Sequence, residues 1–393
     1  MADFFDRLRA RFTAPEVKRS ATHQLIALAH PGRAVWTPRN YASLAAAGFE
    51  RNVVVNRCIR MIAEAAASAP LRVVENGVAL SDHPLVALLA QPNPDEPGAA
   101  LLERFYGFLQ TAGNAYVEAV ALDGAVRELH ILRPDRMKIR LGAHGRPDAY
   151  EYAVNGRSVV FPMSDGFSPI LHLKLFHPTN DHYGHAPLEA AATAVDVHNA
   201  STAWNKALLD NAARPSGALV YKGPDGAENL SADQFSRLKT ELETAYAGTE
   251  NAGRPLLLDG GLDWKSMSMT PAEMDFVGAK NAAAREIALA FGVPPMLLGI
   301  PGDNTYANYR EANLAFWRQT VLPLVKKTAA ALSAWLSPQF DGVRIVCEAG
   351  DLDALAGERD ARWVRIAAAD FLTTDEKREA LGFAPAGEGE AAS

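Results

Sequence analysis

Residues 285–321 read REIALAFGVPPMLLGIPGDNTYANYREANLAFWRQTV and contain two helical patterns joined by a polar loop. The first helix is predicted to stop at Gly292, and residues 293–295 form a rigid step that contains two prolines. A loop rich in glycine, proline and asparagine follows, with no apolar anchor after Ile300, and a second helix is predicted to start near Asn308. Connections between helices are usually short, so this loop favours a functional interpretation. It contains no obvious catalytic group, and we expect it to act mechanically or by contact.

The composition is that of a folded protein with more than one domain. The chain has 393 residues, of which 48% are hydrophobic and 22% are charged. No apolar run approaches the roughly 20 residues that span a bilayer, so we expect no membrane segment. The N-terminus carries Phe4 and Phe5, but Asp3 and Asp6 interrupt it and no apolar segment follows. It is interpreted as a short amphipathic arm and not as a signal peptide.

Charge and cysteine content disfavour two further classes of protein. The formal net charge is −7, whereas proteins that coat DNA tightly carry a basic surface. A protein that lets DNA slide past it is compatible with this charge. Cys58 and Cys347 lie in apolar patterns of helical and strand-like period, so we expect two buried free thiols and no disulfide.

The first half of the chain predicts an α+β domain. Residues 1–48 lack sustained periodicity and are expected to be partly extended, whereas residues 49–67 form an amphipathic helix. Helices are also predicted at His83–Leu89 and from Ala99 to Gly113. The predicted strands are Leu71–Val74, Ala115–Leu122, Arg127–Leu132, Met137–Arg140, Tyr150–Val154, Ser158–Phe161 and Ile170–Phe176. Asn-Gly and Asp-Gly pairs mark hairpin turns, and residues 49–180 therefore predict one domain with an antiparallel sheet.

Two long helices then bracket a small module. Residues 187–213 predict an alanine-rich helix whose narrow apolar face needs a partner helix or a neighbouring subunit. Residues 271–291 predict a second helix, capped by Thr270 and Glu273. Its packing seam is expected to contain Met274, Val277, Asn281, Ala284, Ala288 and Phe291. The module between the helices is predicted to contain strands at Gly217–Lys222, Leu256–Leu258 and Leu262–Met267 and a helix from Ser231 to about Ala247. This order suits a stalk that carries a small tip.

The C-terminal part is predicted to be mainly helical. The helix from Asn308 extends to residue 336 and is interrupted at Pro323. A strand at Val343–Cys347 and a helix at Leu355–Ala369 follow, and Thr373 and Thr374 cap a last helix. That helix extends to Leu381, and the composition of 385–393 predicts disorder.

Motifs of enzyme chemistry are missing from the sequence. It lacks a P-loop, a Rossmann glycine fingerprint and a nucleophile elbow. His172, His177, His182 and His185 lie close together beside Asp181, so a metal-dependent α+β hydrolase that uses the 172–185 histidines is the alternative function. These histidines lie on a predicted strand end and a loop, which favours ordinary polar residues over metal ligands. We assign no residue to catalysis or to a metal, and no cofactor. A generic oligomeric scaffold is a third hypothesis.

Several stretches of the chain resemble, in the same order, the portal proteins of long-tailed double-stranded DNA phages. They are RCIRMIAEAAASAPLRV (57–73), GNAYVEAV (113–120), LRPDRMKI (132–139), YGHAPLEAA (183–191), NAGRPLLLDGGLDWKSMSMTPAEMDF (251–276), REIALAFGVPPMLLG (285–299) and TYANYREANLAFWRQTVLPL (305–324). Each stretch is weak alone, but the ordered set is specific. Within this family, the compact, alanine-rich chain with its short tail is most similar to the portals of alphaproteobacterial gene transfer agents.

The resemblance implies a phage portal fold. Such a fold has an α/β wing, a two-helix stem, a small α/β clip and a short helical crown, and it assembles as a ring oligomer, typically a dodecamer. Mapped onto this chain, the segments are an N-terminal arm (1–29), the first part of the wing (30–186), stem helix 1 (187–213), the clip (214–269), stem helix 2 (270–292), the channel loop (293–308), a wing and crown segment (309–347) and a short crown with its tail (348–393).

The resemblance also implies a non-enzymatic function. The ring would form the DNA channel at one capsid vertex and serve DNA packaging, head–tail joining and DNA release. We expect it in a virion or phage-like particle that is assembled in the bacterial cytoplasm. The implied partners are further copies of the chain, the major capsid protein, the packaging ATPase (the terminase large subunit), a head–tail adaptor and double-stranded DNA, with no membrane.

Three groups of residues are the expected contact sites. The channel-loop residues, a polar collar expected to contact DNA, are Asp303, Asn304, Thr305, Tyr306, Asn308 and Tyr309. The stem residues expected to line the channel are Glu273, Asp275, Lys280, Asn281 and Arg285. The clip residues expected to contact the adaptor are Lys222, Asp225, Arg237 and Glu241.

Overall fold

The computed structural model describes most of the chain between Trp36 and Leu381. The described residues are 36–163, 167–210, 217–221, 233, 236–238, 240, 262–266, 275–301, 306–340, 342–348, 350 and 352–381. The predicted N-terminal arm, the predicted strand Leu256–Leu258 and the predicted disordered tail lie outside them.

Helices in the first third of the chain are α1 (Tyr41–Ala45), α2 (Val53–Ser68), α3 (Pro84–Ala90) and α4 (Gly98–Ala112). A π-helical turn at Ala46–Glu50 continues α1, so the extended conformation expected for residues up to 48 is wrong from Tyr41 onward. α2 begins later than residue 49 because Asn52 has extended backbone and its side chain accepts hydrogen bonds from the N–H groups of Val54 and Val55.

Eleven short strands form four antiparallel sheets in the described part of the chain. The strands are β1 (Leu71–Glu75), β2 (Val78–Ala79), β3 (Asn114–Leu122), β4 (Ala125–Leu132), β5 (Met137–Leu141), β6 (Pro147–Val154), β7 (Arg157–Pro162), β8 (Ile170–Lys174), β9 (Gly217–Tyr221), β10 (Leu262–Ser266) and β11 (Val343–Cys347). The strand orders are β11-β1-β2, β4-β3-β8, β5-β6-β7 and β10-β9.

The strands of the first half do not form the single predicted sheet. Pro134 begins a 3₁₀ turn that ends β4 and redirects the chain, so β5, β6 and β7 form a sheet of their own. β1 instead pairs with β11 near the other end of the chain, where Val73 lies opposite Ile345 and both are buried. The hairpin turns are as predicted, because their six central residues all have positive φ: Asn76, Gly77, Asp123, Gly124, Asn155 and Gly156.

The predicted helix 187–213 is two helices in the structure, α5 (Pro187–Ala190) and α6 (Ala192–Asp210). Ala191 separates them, because its ψ of −8° departs from the helical value. The next long helix, α7 (Phe276–Phe291), begins several residues later than predicted. Asp275 has a left-handed conformation there, with φ 42° and ψ 46°, and its side chain accepts a hydrogen bond from the N–H of Gly278.

The chain continues through α8 (Tyr306–Ala315), a π-helical segment at Phe316–Val321 and α9 (Leu322–Leu336). Pro323 lacks the N–H that would continue the α-helical ladder across this point, so the predicted interruption is confirmed as a π segment that ends just before the proline. A 3₁₀ turn at Asp353–Leu355 leads to α10 (Ala356–Ala367) and α11 (Thr374–Ala380). Thr373 and Glu376 form the capping box of α11, which confirms the predicted cap.

The main hydrophobic core joins the helices to the β1 and β3 sheets. Its fully buried members include Val55, Ile62, Leu109, Ile287 and Val325. Cys58 is buried as predicted, and burial raises the pKa of its thiol to about 12, whereas Cys347 is only half-buried. None of the described helices is long and apolar enough to cross a bilayer.

Candidate functional site

The long helices α6 and α7 pack against each other. The buried face of α7 includes Ala284, Ala288 and Phe291, which are three members of the predicted seam. Val277 is exposed instead, because it lies on the first turn of α7, beyond the part of the helix that the core covers. Asn281 is half-buried, and Met274 lies outside the described residues.

A buried polar cluster that the sequence did not predict joins α6 to the start of α2. The Nδ2 atom of Asn52 lies 3.1 Å from Nδ1 of His198 and donates to Oδ1 of Asn199 at 2.9 Å. Asn199 in turn donates to the carbonyl of Ala47 at 2.8 Å. Burial, with a smaller effect of Lys280, lowers the pKa of His198, so the ring is held neutral. Asn52 at the start of a helix was the one sequence signal of this cluster. His198 and Asn199 gave none, because polar residues on an alanine-rich helix are usually expected to face solvent.

The end of α7 is closed by a Schellman motif at Gly292. Gly292 has φ 66°, and its N–H donates to the carbonyl of Leu289 at 3.0 Å. The N–H of Val293 donates to the carbonyl of Ala288 at 2.9 Å, and the side chain of Val293 is buried. The stop predicted at Gly292 is therefore confirmed, and the chain leaves the helix in a fixed direction.

A second closure of the same kind follows seven residues later. Pro295–Leu298 forms a 3₁₀ turn, and Gly299 has φ 69°. The N–H of Ile300 donates to the carbonyl of Pro295 at 3.3 Å, and the buried Ile300 packs with Ala284 and Ala288 of α7. Each glycine is thus followed by an apolar residue whose side chain is buried. Residues 295–300 form a packed base and not part of a projecting loop.

Two side chains fix this base to its surroundings. The Nη2 atom of Arg285 donates to the carbonyl of Pro301, which holds the exit of the base against α7. Thr320, in the π segment, donates from Oγ1 to the carbonyl of Gly292 at 2.5 Å. A Cβ atom on Gly292 would lie 2.8 Å from the same Oγ1 atom, so the close approach needs glycine. The π segment therefore sets the position of the loop base.

The structure shortens the predicted channel loop at both ends. The base described above takes up the start of the loop, and α8 begins at Tyr306 rather than near Asn308. Asp303, Asn304 and Thr305 lie outside the described residues. Asn308 and Tyr309 are exposed in the first turns of α8, and Tyr306 is described only by its helical backbone.

The predicted stem residues have different surroundings from one another. Asp275 caps α7, Lys280 is half-buried beside His198, and Arg285 holds the loop base. Glu273 lies outside the described residues. The sequence had assigned all of them to one channel lining, but Asp275 and Arg285 carry structural bonds to the backbone.

The predicted clip is described only in part. β9 and β10 lie where strands were predicted, and they pair antiparallel with each other, which the sequence did not predict. The described positions of the predicted helix there, 233, 236–238 and 240, are helical, and Arg237 is exposed. Lys222, Asp225 and Glu241 lie outside the described residues.

The histidines at 172–185 have separate structural contacts. His172 stacks on Tyr116 with ring centroids 4.3 Å apart, and its Nε2 atom lies 3.0 Å from Oδ1 of Asn114. Burial lowers the pKa of His172 to about 3. His185 Nδ1 lies 3.1 Å from a carboxylate oxygen of Glu189, and His182 is half-buried. Within the described residues no three His, Cys, Asp or Glu side chains form a group that could hold a metal ion. No observation therefore favours the alternative metal-dependent hydrolase.

Comparison with known proteins gives consistent matches. A family model described as phage portal protein matches residues 53–382. An uncharacterized protein of Rickettsia bellii is 43% identical over 340 residues, which cover 85% of this chain and 87% of that protein. Two solved structures are 52% identical and cover 90% of this chain and 96% of theirs. One is the neck of an empty gene transfer agent particle computed with C6 symmetry, with a TM-score of 0.73, and the other is the neck of the native particle computed with C12 symmetry, with a TM-score of 0.70.

Proposed function

The chain belongs to the phage portal protein family, and from this we propose that it forms the ring-shaped DNA channel of a gene transfer agent particle. As a portal protein it is a structural component rather than an enzyme. The ring serves DNA packaging, head–tail joining and DNA release at one vertex of the particle. C12 symmetry in the neck of a 52% identical relative supports a dodecamer.

The observation that carries the proposal is the outward surface of the two stem helices. α6 exposes Thr193, Val197, Ala200 and Trp204, which recur at spacings of four, three and four. Such a spacing places them on one face of the helix. These side chains lie away from the buried residues of α6 and form a second, partly exposed face, on which Thr193 accepts a hydrogen bond from Arg39. We call it the α6 outer face.

α7 has an outer face of the same kind. Ala282 and Leu289 are exposed on this helix seven residues apart, which places them on one face, and Leu289 is 80% exposed. We call these residues the α7 outer face. In a cyclic ring every subunit offers one surface to the neighbour on its left and a different one to the neighbour on its right. The α6 outer face of one copy against the α7 outer face of the next meets that requirement.

The double closure at Gly292 and Gly299 supports the channel part of the proposal. It fixes where the chain leaves α7, and the Arg285 bond fixes where the loop begins. In a ring, loops that start from the same fixed base in each copy converge on the axis. Polar residues at 303–305 then form a collar that touches DNA without pairing tightly to phosphates.

The remaining partners follow from the position of the clip. We infer that the tip formed by β9, β10 and the helix with Arg237 binds the packaging ATPase (the terminase large subunit) and later the head–tail adaptor. The wing contacts the major capsid protein, and assembly takes place in the bacterial cytoplasm. The match to the neck of gene transfer agent particles supports a location in the particle.

The first test is the assembly state of the purified full chain. Negative-stain images and native mass spectrometry are expected to show rings. A chain that stays monomeric at all concentrations and in isolated particles contradicts the proposal.

The second test concerns the loop. Substitution of Asp303, Asn304 and Thr305 by alanine is expected to leave the rings intact and to lower the number of DNA-filled particles several-fold. The matched control replaces the exposed turn residues His144 and Arg146 by alanine and is expected to package normally. Normal packaging by the loop variant rules out a role for the polar collar.

A further inference from the structure

The outer edge of β7 has no partner strand in the described part of the chain. β7 is the last strand of the β5-β6-β7 sheet, and β6 is its one neighbour there. The two-residue turn Asn155-Gly156 joins β6 to β7, so Arg157 is the first residue of β7 that bonds to β6. The N–H of Met163 donates to the carbonyl of Asp148 at 2.9 Å. The bonds to β6 therefore come from every second residue between 157 and 163.

The backbone groups of Ser158 and Val160 consequently point away from β6. Both residues lie between the bonded positions of the antiparallel ladder. Pro162 takes the next outward position, where its missing N–H costs the ladder no bond. Natural sheets cover their free edges or block them with proline, lysine or a bulge, and β7 carries proline only at its end. Residues 158–162 therefore offer unpaired N–H and C=O groups in the pattern that an extended polypeptide matches. We call residues 157–162 the β7 edge.

The β7 edge has apolar side chains on both faces of the sheet. Val159 is 55% exposed, and Val160, on the opposite face, is 40% exposed. Phe161 lies on the same face as Val159 and packs against the buried cluster that contains Tyr116 and Tyr150. Beyond Phe161 this face opens into a concavity of about 470 Å³. Its lining residues are Tyr152, Val154, Asn155, Arg157 and Val159. The concavity extends the apolar layer of the sheet to its edge.

The charges around the β7 edge favour a carboxylate in the partner. Arg157 is exposed and is the charged member of the concavity lining. On the opposite face, Nε of Arg140 lies 3.0 Å from a carboxylate oxygen of Glu151, and the exposed Lys138 lies across from the same residue. That face therefore carries one positive charge in excess. Asp148 lies at the far end of the hairpin, opposite Met163, where it does not offset the charge of Arg157.

We propose that the β7 edge binds an extended segment of another protein of the particle, which adds to the β5-β6-β7 sheet as a further strand. This proposal rests on the proposed place of the chain in a particle. The added strand bonds to the backbone of Ser158 and Val160, and its side chains alternate between the two faces of the sheet. Apolar side chains of the segment cover the two valines, and a carboxylate pairs with Arg157.

A second copy of the chain and DNA both fit this edge less well. Pairing of β7 with the β7 of a neighbouring copy joins two identical surfaces, whereas a head-to-tail ring joins two different surfaces at every contact. DNA brings phosphates to Arg157, but phosphate oxygens only accept hydrogen bonds, so the outward carbonyl of Val160 gains no donor from them. DNA also leaves the exposed valines without an apolar partner.

The test measures hydrogen exchange of single amides in monomers, rings, empty particles and DNA-filled particles of the full chain. Monomers are obtained with Val197→Asp, on the α6 outer face. The amides of Ser158 and Val160 are expected to exchange at least about tenfold more slowly in both kinds of particle than in rings, because they gain acceptors. The amides of Val159 and Phe161 already bond to β6 and are expected to change less.

Three results overturn the proposal. The first is equal exchange of the outward amides in rings and particles, which means that nothing binds the edge. The second is slow exchange that is complete in rings but absent from monomers, which identifies a second copy as the occupant. The third is slow exchange only in DNA-filled particles, which identifies DNA.

Variants of the edge give the matched comparison. Val160→Pro removes an outward donor and leaves the bonds to β6 in place, as Pro162 does at the next outward position. It is expected to form rings and to enter particles several-fold less often than the unaltered chain. Val160→Thr keeps the N–H and the branched shape and is expected to enter particles normally. Normal entry of Val160→Pro contradicts the added strand.

A charge variant tests the same contact without a change in the backbone. Arg157→Glu places a carboxylate against the carboxylate of the partner and is expected to lower entry into particles several-fold, whereas Arg157→Lys is not. Equal entry of these two variants contradicts the predicted carboxylate. If the unaltered chain is missing from particles, the proposed function fails. If the unaltered chain and all edge variants enter equally, only the strand contact fails.

Discussion

Gly292 illustrates how much one residue decides at the loop base. It needs a positive φ, and it also needs space, because Oγ1 of Thr320 lies only 2.8 Å from the position that a Cβ would take. Gly299 has the same backbone conformation but open space around its Cβ position. Gly107, inside α4, has neither constraint. Substitutions at these three glycines can therefore distinguish the effect of backbone strain from that of steric contact.

The corresponding alanine variants are expected to change the free energy of unfolding by different amounts and in different directions. Gly107→Ala is expected to stabilise the fold by about 0.5–1 kcal/mol, because alanine is the better helix residue. Gly299→Ala is expected to destabilise it by about 1–2 kcal/mol through the left-handed backbone alone, and Gly292→Ala by more. Urea unfolding of the three variants measures the change in the free energy of unfolding for each. Equal effects at Gly292 and Gly299 would show that Thr320 simply moves away.

His172 predicts a pH dependence of stability. Burial, assisted by Lys174, lowers the pKa of His172 to about 3 in the folded chain, whereas an unfolded histidine titrates near its ordinary value of about 6.5. Between these two values the unfolded state binds the proton and the folded state does not. Stability is therefore expected to fall as the pH falls from about 6.5 toward 3, by up to about 1.4 kcal/mol per pH unit.

The His172→Gln variant is the control for this effect. Glutamine does not titrate, so the stability of the variant is expected to change less steeply between pH 6.5 and 4. The two chains are compared by urea unfolding at each pH. Parallel pH profiles for both chains would mean that His172 does not titrate between the states as described.

At the level of single residues, the sequence predicted backbone roles better than side-chain roles. The glycine turns and the stop at Gly292 follow from local chemistry, since positive φ selects glycine and asparagine. Arg285 was expected to line a channel, and its bond to the carbonyl of Pro301 was not predicted. A contact between residues sixteen positions apart depends on how the chain turns back, and no local pattern contains that information.

At the level of elements, periodicity located nearly every helix and strand. The errors in where helices begin come from capping residues. α2 and α7 begin at Val53 and Phe276 because Asn52 and Asp275 cap them. The sheets were merged in the prediction because strand patterns carry no information on partners. β1 pairs with β11 rather than continuing the sheet of β3, and only tertiary packing makes that choice.

The stem helices make the sharpest prediction at this scale. Val197→Asp damages the α6 outer face and Leu289→Asp damages the α7 outer face, and both side chains are exposed, so each monomer is expected to fold normally. Each variant alone is expected to form no ring. A mixture of the two has one intact junction, formed by the undamaged α7 face of the first and the undamaged α6 face of the second. Native mass spectrometry is therefore expected to show heterodimers and no larger species.

The Val78→Asp variant controls for the added charge and is expected to form rings. Rings from either stem variant alone would show that the outer faces do not form the junction. Higher oligomers in the mixture would contradict a head-to-tail arrangement.

At the scale of the whole molecule, the net charge of −7 constrains how the ring handles DNA. Basic proteins that coat DNA bind more tightly as the salt concentration falls. The acidic ring is expected to retain linear double-stranded DNA poorly at about 0.15 M salt, with no gain at lower salt, because repulsion is then less screened. Gel-shift titrations at several salt concentrations measure the slope. A steep gain in affinity at low salt would identify a basic surface that grips DNA.

The family and the portal function were predictable from the sequence because seven short stretches occur in a fixed order along the chain. The location of the contact sites was not. The arrangement of the subunits determines which side chains face the axis or the next copy. The periodicity of one chain cannot predict these side chains. Val277 shows this, since its spacing placed it in the seam within a subunit, whereas it is exposed.

The pairing of β1 with β11 has a consequence for synthesis of the chain on the ribosome. Leu71 lies opposite Cys347, so the sheet that β1 begins cannot be completed until almost all of the polypeptide has emerged. Contacts this distant in sequence form slowly, and until they form the edge of β1 stays unpaired. A chain that stops before Val343 therefore cannot complete the sheet of β1, whatever the state of its other elements.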